Sequence, residues 1–185
     1  QAIKGGDSRT IRAAYSALSG QMIHEEVYGL DGAPEISDKP YTVTETNFYV
    51  RLLQPANGKH PPSFYVYERE TIDYDYERNP VDPRVRHDFA LEVDEFGNVA
   101  NSCKVFYPRR TPQVEVVCEN PADRIYPQQT TLRAITELDR FINETGENRW
   151  LGISCESKEF EIHGLSLPPD RYFSFEEIRT LVDQS

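Results

Sequence analysis

The sequence lacks long hydrophobic runs, and its apolar stretches are only a few residues long. A membrane-spanning helix needs about 20 predominantly apolar residues, and the first twenty residues also lack the apolar core of a secretory signal peptide. We therefore expect no direct membrane insertion of these residues. Because the chain begins with Gln1 rather than Met, we expect it to be a piece of a longer polypeptide.

Cysteine and positive charge are also scarce. Cys103, Cys118 and Cys155 form neither a CxxC pair nor a dense, even framework, so we expect three reduced thiols and no structural metal site. The 31 acidic residues outnumber the 20 scattered Lys and Arg residues, giving a net charge of −11. Binding to nucleic acid needs a concentrated basic face that neutralises phosphates. Nucleic acid is therefore not an expected partner.

Several catalytic signatures are missing as well. The four histidines form no HExxH or His-x-His motif, Ser154 lacks the second glycine of GxSxG, and there is no phosphate-binding glycine loop. Glu68 with Glu70, and Asp73 with Asp75, have spacings that glycosidase carboxylates use. With 31 acidic residues in 185, chance accounts for these pairs. We expect no cofactor and no metal.

Signals for a short helix stand near each end of the chain. Asp7 is a suitable N-cap for an apolar stripe within 11–18, and Gly20 follows where a helix would end. Near the other end, Ser174 and Glu177 have the spacing of a capping box.

Between these helices the apolar period is two, which predicts strands. The alternation over 85–93, the turn residues Asp94, Gly97 and Asn98, and the return over 99–107 predict a β-hairpin. Similar patterns predict further strands at 21–30, 41–53, 64–77, 114–118, 130–138, 151–155 and 158–162. In the strand 64–77, strict alternation predicts an exposed face that is acidic and rich in tyrosine.

The segment 78–84, between the predicted strands 64–77 and 85–93, is the strongest candidate for a contact with another part of the protein or with a partner. Prolines fix its backbone, Asn and Asp favour turns, and arginines at both ends can bind carboxylates or carbonyls. We favour a rigid strand connection over a binding function for its residues, which are Arg78, Asn79, Pro80, Asp82, Pro83 and Arg84.

Five stretches stand in an order that resembles a known family. They are EVYGLDG (26–32), PYTVTE (40–45), VRLLQP (50–55), YERNPVDPR (76–84) and LEVDEFGNV (91–99). Together they resemble the middle, C-terminal-side region of the B subunit of insecticidal toxin complexes, the Tc toxins, a region shared with plasmid-virulence and RHS-type proteins. The resemblance is strongest over 8–110. It is looser over 111–185, at QTTL (129–132), CESKEFEI (155–162) and FSFEEI (173–178).

This resemblance implies a structural part rather than a catalyst. In that family, the B and C subunits build a hollow β-shell that encloses a toxic polypeptide, which leaves through the channel of the A subunit. The resemblance therefore implies a mainly β fold, with long antiparallel strands forming part of an RHS-type shell. It also implies C-subunit and A-subunit partners, an enclosed toxic polypeptide and a secreted or extracellular complex. One turn like that of the YD repeat lies within 89–107.

Two alternatives belong to other functional classes. Glu159 and Glu161 resemble the paired glutamates of ADP-ribosyltransferases, and residues two apart on a strand share a face. That chemistry also needs a nucleotide-binding arginine and a Ser-Thr-Ser strand, which we do not find, so we favour a solvated strand face. The other alternative is a stand-alone β binding module, which would unfold cooperatively without aggregation, whereas a wall segment would have adhesive sheet edges.

Overall fold

The computed structural model describes residues 7–30, 32, 34–109, 127–147, 149–169 and 171–184. Two helices, α1 (Ser8–Ala17) and α2 (Phe175–Gln184), lie near the ends of the chain. A short 3-10 helix spans Pro127–Thr130. The strands are β1 (His24–Val27), β2 (Thr42–Gln54), β3 (Ser63–Asp75), β4 (Arg84–Val93), β5 (Val99–Tyr107), β6 (Arg133–Glu144) and β7 (Trp150–Ile162). The prediction of a mainly β fold with a helix near each end is confirmed.

The seven strands form one antiparallel sheet in which spatial order equals chain order. The predicted hairpin is confirmed as β4 and β5, whose register aligns Val85 with Tyr107. In β6 and β7, Ala134 faces Ile162. Each strand therefore pairs with the strands that precede and follow it in the sequence.

Several predicted strand boundaries were wrong. The two short strands predicted at 151–155 and 158–162 are the single strand β7, since Glu156 and Ser157 continue the pairing with β6. β6 begins only at Arg133, where its pairing with β5 starts, and Thr130 belongs to the 3-10 helix. β1 is limited to His24–Val27 by the length of its pairing with β2. The predicted strand at 114–118 and the third cysteine, Cys118, lie outside the described residues.

A β-bulge at Arg69 overturns the predicted faces of β3. In the register with β2, Asn47 faces Glu70 and Phe48 faces Glu68, so Arg69 is the extra residue. A bulge places one more residue on a strand and shifts its alternation. Tyr65 and Tyr67 therefore share a face with the partly buried Ile72 and Tyr74, rather than with Asp73 and Asp75.

The main hydrophobic core lies between the sheet and α2. The buried rows of β4, β5 and β6 point at the helix and the residues that precede it, and the core comprises Val85, Phe89, Leu91, Cys103, Val105, Tyr107, Ala134, Phe173, Phe175 and Ile178. The predicted capping box of α2 is present, because the Ser174 amide donates to the Glu177 carboxylate at 2.9 Å. This local order positions the apolar side of α2 over the sheet.

The first helix contacts a different part of the sheet. α1 lies against β2 and β3, with Ala14 completely buried. The predicted cap is confirmed, since the Thr10 amide donates to the Asp7 carboxylate at 2.7 Å. In the described ranges, no helix has the length and apolar character that crossing a membrane requires.

Candidate contact segment and hairpin turn

The β4–β5 turn brings together the three residues that the sequence singled out. The Asp94 carboxylate accepts hydrogen bonds from the amides of Phe96 and Asn98, at 2.9 and 2.8 Å, and from the Asn98 side chain. Gly97 has φ of +94°, which favours glycine. These bonds lower the pKa of Asp94, since they stabilise its charged form, although burial opposes them.

Neighbouring strands hold this turn from both sides. On one side, the Arg51 guanidinium donates to the carbonyls of Asp94 and Glu95 at 2.8 and 3.2 Å, and the Tyr65 hydroxyl donates to the carbonyl of Gly97. On the other side, Asn143 donates to the Asp94 carboxylate. The turn therefore connects β2 and β3 to β6.

Asn143 extends this connection to the last strand. Its side-chain oxygen accepts a hydrogen bond from the amide of Gly152 at 2.8 Å. Sequence reasoning missed Arg51, Tyr65 and Asn143, because each acts on the backbone or side chain of a residue more than thirty positions away. The stretch VRLLQP (50–55) carries part of the family resemblance, but its residue types do not indicate a contact with the turn.

The proposed contact segment 78–84 connects β3 to β4. Its first residue, Arg78, has φ of +64°, and its guanidinium lies 4.4 Å from the Tyr41 ring centroid. The Asn79 side chain accepts a hydrogen bond from the Val81 amide at 3.2 Å. The structure therefore places Arg78 against Tyr41, whereas Asn79 makes a local contact within the connection.

The second half of the segment is paired within the chain. Asp82 is buried and accepts a hydrogen bond from the Arg109 guanidinium at 3.1 Å, while Arg84 pairs with Asp75 at 2.6 Å and with Glu77. Pro80 is exposed and Pro83 is half-buried. These contacts agree with a rigid connection, and a binding function for the segment stays a prediction.

Cross-strand ion pairs run over one face of the sheet. They join Asp73 to Arg86 at 2.6 Å, Lys104 to Glu137 at 3.9 Å, and Arg133 to Glu161 at 3.0 Å. Exposed pairs of this kind add little stability. Their effect here is a face that carries charges of both signs, with the ring of Phe106 between Arg86 and Arg133.

The paired glutamates of the enzyme alternative lie on the last strand. Glu159 and Glu161 share a face of β7 and are both exposed. Glu161 is held by the Arg133 guanidinium, which lowers the pKa of its carboxyl group. This arrangement agrees with a solvated strand face, and the transferase alternative stays an untested prediction.

The histidines and cysteines are dispersed in the structure. His24 lies 2.9 Å from Glu26 on β1, whereas His87 is buried beneath α2. Cys103 and Cys155 are free thiols. Among the described residues, no three His, Cys, Asp or Glu side chains converge as metal ligands would.

Comparison with protein families decides where this fold belongs. The model of the insecticide toxin TcdB middle/C-terminal region matches residues 13–153. The chain belongs to this family. It is a segment from the middle/C-terminal region of a Tc toxin B subunit, and the family resemblance of its sequence is confirmed. A comparison with curated proteins gives no match.

Solved Tc toxin structures contain the same fold. The TcdB2–TccC3 crystal structure is 28% identical over 92% of this chain, with a TM-score of 0.74. A TcdB2–TccC3–Cdc42 structure is 30% identical over 84%, with a TM-score of 0.69. The Photorhabdus luminescens Tc holotoxin pore is 28% identical over 94%, with a TM-score of 0.75. In each comparison the Tc segment covers 8% of the matched chain.

Proposed function

We propose that this Tc segment is one stretch of the wall of a hollow shell that a B subunit forms with a C subunit. The observation that carries the proposal is the match of its seven-stranded sheet to 8% of a chain in TcdB2–TccC3. In this proposal the wall encloses a toxic polypeptide, and an A subunit supplies the exit channel. In this proposal, residues 1–185 act as a single fragment of the larger shell-forming subunit.

The sheet has physical properties that suit a wall. Its strands are up to 13 residues long and lie side by side in chain order. A meander of this kind can be extended at either edge by further strands. The cross-strand ion pairs also place charged side chains on one face beside exposed apolar ones such as Phe106, which limits the continuous apolar surface to which an enclosed polypeptide could adhere.

The likeness to components of a Tc holotoxin pore supports a secreted complex as the setting. The role is structural. The acidic charge of −11 argues against nucleic acid as a partner, and the dispersed histidines and ion-paired Glu161 offer no assembled catalytic group.

Photo-crosslinking from adjacent residues of β7 tests the wall proposal. Glu159 and Phe160 are both exposed and point to opposite faces of the sheet, since Glu159 aligns with Glu137 and Phe160 with the buried Thr136. A photoreactive amino acid is placed at each position in the native polypeptide, which is then assembled with its C subunit. We expect one position to capture the toxic polypeptide and the other to capture none.

The matched control is the same complex with a C subunit that lacks its toxic end, for which the crosslink must disappear. Absence of capture at both positions would contradict the wall proposal. Incubation of the complex with labelled NAD checks the enzyme alternative, which requires automodification that is lost in Glu161→Ala.

A further inference from the structure

A buried histidine lies where the sheet meets the residues that lead into α2. His87 is 6% exposed, and its ring centroid lies 3.9 Å from that of Phe89. Phe89 in turn contacts Phe175, the first residue of α2. The proposed role in a shell wall does not require an imidazole at this position.

A chain of hydrogen bonds connects His87 to the segment before α2. The Phe173 amide donates to the Tyr107 hydroxyl oxygen at 3.0 Å, and this oxygen lies 3.4 Å from Nδ1 of His87. Because the Tyr107 oxygen already accepts the Phe173 proton, its own proton can be donated to Nδ1. This direction requires a neutral imidazole with its proton on Nε2.

We propose that His87 is an acid-sensitive latch whose protonation releases α2 from the sheet. A proton on Nδ1 would turn the acceptor into a donor. Two N–H groups would then face the Tyr107 oxygen, and the hydroxyl proton would lose its acceptor. The hydrogen bond that holds Phe173 weakens, and α2 follows because Phe173 immediately precedes its cap.

The charged groups around His87 have opposite effects on its protonation. On β3, the Glu70 carboxylate lies 3.8 Å from Nε2 of His87 and favours the imidazolium, whereas the neighbouring Arg69 cation is paired with Glu176 of α2 at 2.9 Å. The other titratable side chains that pack into this core around His87 are Tyr74 of β3, Cys103 and Tyr107 of β5, and Tyr172 before α2.

Burial has the larger effect on the imidazole. Desolvation lowers the pKa of His87 from 6.5 to about 4. A group whose pKa is depressed in the folded state stabilises that state fully above its unfolded value and loses this contribution as pH falls. By this linkage, the population with α2 released rises about 20-fold between pH 7 and pH 5.

Hydrogen exchange of the full chain tests the latch. Exchange is followed by mass spectrometry at pH 7 and pH 5, and rates are corrected for intrinsic exchange. We expect the opening constant of peptides covering 173–184 to rise about 20-fold, while peptides covering 85–107 remain protected. An equal rise in both regions would show acid unfolding of the whole sheet and would overturn the latch.

Two histidine variants separate the latch from other titrations. His87→Gln retains a polar side chain but cannot gain a proton in this range, so we expect its α2 exchange to be nearly independent of pH. The matched control His163→Gln removes an exposed histidine and should retain the wild-type response. If His87→Gln does not fold, nitrogen NMR of the wild-type imidazole decides, since a proton on Nδ1 at pH 7 would contradict the proposal.

Discussion

The Asn143 side-chain amide donates a hydrogen bond of 2.9 Å to the Asp94 carboxylate, which connects β6 to the turn between β4 and β5. The same turn is held from the opposite side by Arg51. The turn is therefore hydrogen-bonded to strands on both of its flanks. The stability of the sheet should depend strongly on this turn.

We expect Asp94→Ala to lower the free energy of unfolding by about 2–3 kcal/mol, because several donors lose their charged acceptor. Urea unfolding followed by circular dichroism measures the change. Glu95→Ala is the matched control, since Glu95 contributes its carbonyl rather than its side chain to the described contacts of the turn. A similar midpoint for the two variants would contradict the central role of the Asp94 carboxylate.

Gly97→Ala should destabilise the same turn for a steric reason. A Cβ atom at this position would lie 2.7 Å from the Tyr65 hydroxyl, at a backbone φ of +94°. We expect a loss of about 2 kcal/mol or more in urea unfolding. Gly58→Ala is the control, since its φ is +55° but no described atom lies within 4 Å of the added carbon. It should cost about 1 kcal/mol.

Arg69 should be sensitive even to a conservative change. Its guanidinium lies 3.7 Å from the Phe175 ring centroid and pairs with Glu176, at a side-chain exposure of 10%. Lysine retains the charge but lacks the planar group that stacks on the ring. We expect Arg69→Lys to lower the free energy of unfolding by about 1–2 kcal/mol, measured by thermal unfolding.

Arg140→Lys is the matched substitution for this test. The Arg140 side chain is 78% exposed and pairs with Glu156 on the surface. A change within about 0.5 kcal/mol is expected there. If both lysine variants behaved alike, the buried stacking of Arg69 would have no measurable role.

The charge of Glu177 in the capping box should stabilise the start of α2. The Arg171 guanidinium, followed by the backbone and side chain of Ser174, lowers the pKa of Glu177 well below its usual range. This contribution is complete above the ordinary carboxyl pKa and is lost as pH falls below it. We expect Glu177→Gln to exchange faster over 175–184 at pH 7.

Asp183→Asn should change α2 in the opposite direction. It removes a negative charge from the last turn of the helix, where the helix dipole disfavours anions. Slower exchange in Asp183→Asn and faster exchange in Glu177→Gln would separate capping from a general effect of net charge. Equal rates in the two variants would contradict the capping role.

Local chemistry explains which parts of the fold could be predicted. The β4–β5 hairpin and both helix starts were predicted because their signals lie within a few residues of one another, as with Asp94 and Gly97 or Ser174 and Glu177. The sequence pattern of β3 could not indicate the bulge at Arg69. That bulge depends on the register with β2 and on the contacts of Arg69 with α2.

In the candidate site, too, only the features that depend on neighbouring residues could be predicted. Asp94, Gly97 and Asn98 were named from turn preferences alone, whereas Asn143 and Arg51 hold the turn from strands that are distant in sequence. In the segment 78–84, prolines indicated a connection, but the positive φ of Arg78 had no signal in its residue type. A single sequence contains no information that pairs such positions.

The order of the strands has a consequence for how the protein is made. Each strand from β2 to β7 pairs with its immediate predecessor in the chain, so the loops that must close are short for most pairs and folding can proceed strand by strand. A ribosome delivers the residues in this same direction. The sheet can therefore grow at one edge during synthesis. Each new strand can pair as soon as it leaves the ribosome, because its partner has already been made.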